Sequence, residues 1–124
     1  MANVLDTPTT ILASAARTAT NTSSVFRLPP TSRGFAVQFA ATAIASTPSV
    51  TCTVEHLASG AWATVLAGAA LTSATTQNLI IHPDAADVAN ISESSTTLVE
   101  KFRVTMTHAD ADSMTYSVKL FPLK

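Results

Sequence analysis

The chain has 124 residues and a mass of 12.9 kDa, the size of one ordinary domain. It is 47% hydrophobic and 12% charged, and seven Lys and Arg stand against eight Asp and Glu for a net charge of -1. That balance excludes the basic surface needed to grip nucleic-acid phosphates or an anionic membrane. So little charge beside so many apolar residues also excludes a disordered chain.

Cys52 is the single cysteine, which rules out an intrachain disulfide and a cysteine-based zinc cluster. No apolar run approaches the ~20 residues that span a bilayer. Met1–Asp6 lacks the basic segment that precedes the apolar stretch of a secretory signal, and Arg17 comes only after Ile11–Ala16. Synthesis in the cytoplasm is the expectation.

Residues 1–22 are rich in Thr, Ala and Asn with few large apolar side chains. They read as an extended N-terminal arm or an edge strand, not as core, leaving 23–124 as a single β-sandwich domain. A short strand at Val25–Leu28 is ended by Pro29-Pro30, because proline fixes φ and removes an amide donor. Gly34–Ala43 places Phe35, Val37 and Phe39 on one face and Gln38 on the other. After Ser46-Thr47-Pro48, the stretch Ser49–His56 alternates Val50, Cys52 and Val54 with Thr51, Thr53 and Glu55. Ala58-Ser59-Gly60 then joins it to Trp62–Leu66 as a hairpin, with glycine at the position that needs positive φ.

Leu79–Ile81 is a short strand stopped by His82-Pro83, and the polar connection Pro83–Thr97 has room for one helical turn near Asp84–Val88. Lys101–His108 sets Phe102, Val104 and Met106 against Lys101, Arg103, Thr105 and Thr107. After the turn Ala109–Ser113, Met114–Phe121 sets Met114, Tyr116, Val118 and Leu120 against Thr115, Ser117 and Lys119. Alternation with period two gives each strand one buried and one wet face. About seven or eight short strands, with turns spaced roughly 8–12 residues apart, predict an all-β antiparallel sandwich or jelly roll.

Candidate chemistry is sparse. His108-Ala109-Asp110-Ala111-Asp112 brings an imidazole and two carboxylates together, but calcium needs more oxygen ligands and zinc another protein ligand. A turn whose Asp side chains accept from local amides accounts for it better. Glu55 and His56 are strand neighbours aimed at opposite faces, which prevents them acting as an acid–base pair; His56 reads as a hydrogen-bonded neutral imidazole. No Gly-x-Ser-x-Gly elbow or phosphate-binding glycine loop is present, so the expectation is a non-enzyme without catalytic residues, metal or cofactor. Most aromatic residues fall on inward positions. Trp62 does not, and it reads as a cap on one end of the core or an anchor for a partner. Lys101 and Arg103 share one face of a strand, as a solvated face or as a basic strip meeting acidic groups on a partner.

Three segments carry a resemblance: Ser32–Val37 with Ser46–Glu55, then Ala58–Trp62, and most specifically Phe102–Val118, which reads FRVTMTHADADSMTYSV. They resemble a group of small virion structural proteins of tailed bacteriophages, similar to head decoration (cement) proteins. The resemblance implies a β-sandwich or jelly roll that binds the outer surface of the head and stabilises it. The implied partners are the major capsid protein and further copies of the chain, as a dimer or trimer. It also implies a place on the capsid surface of the virion. A neck or tail component and a carbohydrate-binding sandwich for host adsorption are the alternatives. Candidate partner contacts are Val4, Leu5, Ile11, Leu12 and Arg17 in the arm, with Trp62, Lys101 and Arg103.

Overall fold

The computed structural model describes residues 3–4, 7–27, 34–58, 60–81 and 101–123. Leu5, Pro29–Arg33, His82 and the connection Pro83–Thr97 with its expected helical turn lie outside them. The strands, in chain order, are β1 (Asn3–Val4), β2 (Thr9–Arg17), β3 (Asn21–Thr22), β4 (Phe26–Arg27) and β5 (Gly34–Ile44). They continue with β6 (Val50–Ala58), β7 (Ala61–Ala67), β8 (Thr76–Ile81), β9 (Phe102–His108) and β10 (Met114–Leu123). No helix is present among the described residues, so none is long and apolar enough to cross a membrane.

The strands form two sheets. The first runs β1-β4-β9-β6-β7, with β3 also paired to β9, and the second runs β2-β10-β5-β8. All pairings are antiparallel except the short β1–β4 contact. The pairing is nested: β2 with β10, β3 and β4 with β9, β5 with β8, and β6 with β7. A long hairpin paired in this way and rolled so that β10 meets β5 and β9 meets β6 is a jelly roll.

The strand number exceeds the sequence expectation because two-residue pieces count separately. β3 and β4 are two parts of one interrupted strand along β9. Between them Ser23 is buried; its amide donates to Val104 O at 2.8 Å, and its Oγ accepts from Val104 N at 2.9 Å. The hydroxyl stands where a ladder carbonyl would, so β9 keeps its bonds while the partner strand breaks.

The core lies between the sheets, and the alternating residues supply it. Phe35, Val37 and Phe39 of β5, with Met114, Tyr116, Val118 and Leu120 of β10, face Val50, Cys52 and Val54 of β6 and Phe102, Val104 and Met106 of β9. One end is an aromatic cluster across the sheets. Phe35 packs edge-on against Phe102 at 5.0 Å and against Phe26 at 5.8 Å, while Phe26 stacks on Phe102 at 6.0 Å. At the β6–β7 hairpin Gly60 has φ of +82°, a left-handed conformation that glycine adopts without a Cβ clash.

Residues 9–17 are not a free arm. β2 is the edge strand of the second sheet, and it is bulged: three steps along β10, from Tyr116 to Lys119, match five along β2, from Ala15 to Thr10. Neighbours on a regular strand point to opposite faces. The extra residues in β2 let the adjacent Ile11 and Leu12 both pack against the core, where the sequence reading had placed none of this segment. A second bulge in β7 sets Leu66 opposite Val54 but Thr64 opposite Glu55. The extra residue, Val65, is buried.

The aromatic cluster gives a direct expectation. Phe102→Ala removes a fully buried ring that joins both sheets and should lower unfolding stability by about 3–5 kcal/mol in urea titrations.

Candidate interaction surface

Burial of Phe102, Val104 and Met106 forces the intervening residues of β9 to the outside of the first sheet. Register then decides their neighbours. Arg103 lies opposite Glu55, Thr105 opposite Thr53, and Thr107 opposite Thr51. One strand further, Glu55 lies opposite Thr64 and Leu57 opposite Trp62. On the other side, Phe26 pairs with Phe102, which sets the exposed Arg27 beside the exposed Lys101. The outer face is thus graded, with Arg27, Lys101, Arg103, Glu55, Leu57 and Trp62 at one end and a ground of threonines at the other.

The charged end is ordered by contacts among its own side chains. The Arg103 guanidinium lies over the Trp62 ring, 4.3 Å from its centroid. Its Nε donates to Glu55 Oε1 at 2.8 Å, and Thr105 Oγ1 donates to the same oxygen at 2.5 Å. The arginine and glutamate side chains are 28% and 18% exposed, so the pair is only partly wet and less screened than a surface ion pair. Trp62 is half-buried and lies on the outer face, not at the end of the core. Two of the sequence candidates, Trp62 and Arg103, are in direct contact, and Lys101 is their neighbour on the same face. The register that starts at the Gly60 hairpin turn sets Trp62 opposite Leu57, and Glu55 joins the cluster by register alone.

Arg17 is placed elsewhere. Its Nη1 donates to Tyr116 O at 2.7 Å and Ala15 O at 3.3 Å, and its Nη2 donates to Ala13 O at 2.7 Å. The guanidinium also lies 4.7 Å from the centre of the Tyr116 ring. It therefore serves the backbone of the β2 bulge. Ile11 and Leu12 face the core, and Val4 pairs with Arg27 in the β1–β4 ladder.

Below Arg17 lies a buried polar group at the far end of the core. Tyr116 OH accepts from Asn21 Nδ2 at 2.8 Å and is bonded to His108 Nε2 at 2.8 Å. Burial pushes the tyrosine hydroxyl above its usual range. Burial also lowers His108, against the pull of Asp110 and with help from Arg17. The carboxylates after His108 build a turn: Asp110 Oδ1 accepts from Asp112 N at 3.1 Å, and Asp112 Oδ2 accepts from Thr47 N and Oγ1, both at 3.2 Å. Among the described residues no group of three or more His, Cys, Asp or Glu is placed to hold a metal ion. His56 is buried as expected, and its Nδ1 has no hydrogen-bond partner among the described residues. Burial raises the Cys52 thiol to about 12, which keeps it protonated and unreactive near neutral pH.

No protein-family model matches the chain, and no curated protein sequence matches it. Among solved structures, one chain in the structure of infectious bursal disease virus, Gx strain, is similar over 91% of this chain, with a TM-score of 0.45 and 15% identity. This chain spans 30% of the length of that one.

His108 yields a pH expectation. Its folded form prefers the neutral imidazole, so on acidification the unfolded chain takes up the proton first. The associated stability is complete above the ordinary histidine value of about 6.5 and is lost as pH falls through the lower folded value. Urea midpoints measured from pH 7.5 downward should show this loss. His108→Gln, which does not titrate, should flatten that part of the profile.

Proposed function

We propose that the protein is a structural component of a bacteriophage virion, a decoration (cement) protein that docks on the outer surface of an assembled head. The observation that carries this reading is the outer face of β9, β6 and β7. There Trp62 and Arg103, residue types that dominate binding hot spots, are fixed against each other beside a charge-poor threonine ground. The resemblance of Phe102–Val118 to tailed-phage virion proteins supports it. In the fold this segment is β9, β10 and their turn, which brings one central strand of each sheet into a single unit.

The physical task of such a protein is to add contacts between subunits of a closed shell. Each copy contributes roughly 25 cal/mol per Å2 of apolar area buried, and the contribution repeats at every lattice position. Low charge keeps the desolvation cost of docking small. A jelly roll suits the task because its two sheets back the docking face with a packed core, and little ordering entropy is lost on binding. The partners in this reading are the major capsid protein and further copies of the chain, as a dimer or trimer. Its place is the capsid surface, after synthesis in the host cytoplasm.

Mixing the purified protein with empty expanded heads of its own phage and imaging them by cryo-electron microscopy tests the reading. Regularly spaced density on the outer surface is expected. Trp62→Ala should weaken attachment by about 2 kcal/mol, the scale of a hot-spot residue. Bare heads at saturating protein, or assembly into rings that cap necks or tails, would overturn it.

A further inference from the structure

Arg103 is bound by one edge only. Its Nε meets Glu55, whereas neither Nη nitrogen has a hydrogen-bond partner among the described residues. The stack on Trp62 fixes the plane of the guanidinium, and Thr105 holds the Glu55 oxygen that anchors it. The open edge is therefore a pre-oriented fork of N–H donors, the geometry that matches a carboxylate with two parallel bonds. Lys101 and Arg27 stand exposed on the same face. Among the described residues, these three cations stand at this end of the sheet with one carboxylate, that of Glu55, so its cations outnumber its anions.

We propose that the Arg103 fork, flanked by Lys101 and Arg27, docks an acidic protein surface by taking one partner carboxylate on its Nη edge. This deepens the proposed function, on which it rests, by giving the chemistry of the partner: an Asp or Glu side chain set among other acidic groups. Charge complementarity selects that occupant. Nucleic acid is the poorer fit, because phosphate binding distributes many cations along a backbone, and here one oriented fork carries two helpers. The cost of ordering Arg103 is already met in the free protein, so a carboxylate gains a bidentate pair without freezing a long side chain. Trp62 keeps water from one face of the guanidinium and so strengthens the bond that forms.

Titrating the full-length, isotope-labelled protein with a short poly-L-glutamate peptide tests this by NMR. Shifts are expected at the Trp62 indole N–H and the Arg103 Nε–H, with smaller ones at the Lys101 and Arg27 amides, and they should weaken as salt is raised. Arg103→Lys keeps the charge but loses the fork, and should weaken peptide binding about tenfold while the rest of the spectrum stays unchanged. Equal binding by Arg103→Lys, shifts centred on Lys119, or tighter binding of an oligothymidylate of the same length would each overturn the proposal. Heads that bind Arg103→Lys as tightly as the parent protein would overturn it too while leaving the virion reading intact. Failure to bind heads with peptide binding preserved would sink the virion reading alone.

Discussion

Burial of Phe102 against Phe26 and Phe35 sets the register of β9, and most of the molecule follows from that register. β9 pairs with β3, β4 and β6, so its inward residues close the core of the first sheet and its outward residues form the centre of the exposed face. A slip by one residue would place Arg103 and Thr105 in the core and Phe102 in water, which costs several kcal/mol at each position. The same contact that stabilises the fold therefore presents Arg103 to solvent. Stability and the candidate surface share one cause.

The bulges in β2 and β7 modify this regular pattern at the sheet edges. An edge strand offers unpaired backbone groups to any passing strand, and bulges are a common way to blunt it. In β2 the bulge has a further use, because it turns both Ile11 and Leu12 toward the core of a segment otherwise poor in large apolar side chains. Arg17 then accommodates the disturbed backbone by donating to carbonyls of Ala13, Ala15 and Tyr116. Its charge sits beside His108 and disfavours a second positive charge there. The N-terminal strand, the polar group around Tyr116 and the response to acid are thus linked through one guanidinium.

The functional reading depends on the contrast between two arginines. Arg17 directs both Nη nitrogens inward to the backbone, whereas Arg103 binds through Nε and keeps both Nη nitrogens for a partner. In the linear sequence both follow small or apolar neighbours and carry the same charge. What separates them is whether the surrounding strands supply carbonyls or an aromatic face. A docking surface on a protein with so few charges needs only one such pre-oriented group, since there are few competing cations to misdirect an acidic partner.

The sequence by itself determined the all-β class, the faces of β5, β6, β9 and β10 and the hairpin at Gly60, because period-two alternation and a positive-φ turn are local properties of the chain. It also showed Lys101 and Arg103 sharing a face. The nested pairing that makes the sandwich a jelly roll, the bulges that bury Ile11, Leu12 and Val65, and the meeting of Trp62, Arg103 and Glu55 were decided only by the tertiary structure. These join residues far apart in the chain, through registers that depend on which strands become neighbours when the two sheets close. No local pattern encodes a register between residues as distant in the chain as Glu55 and Arg103; packing of the shared core selects it.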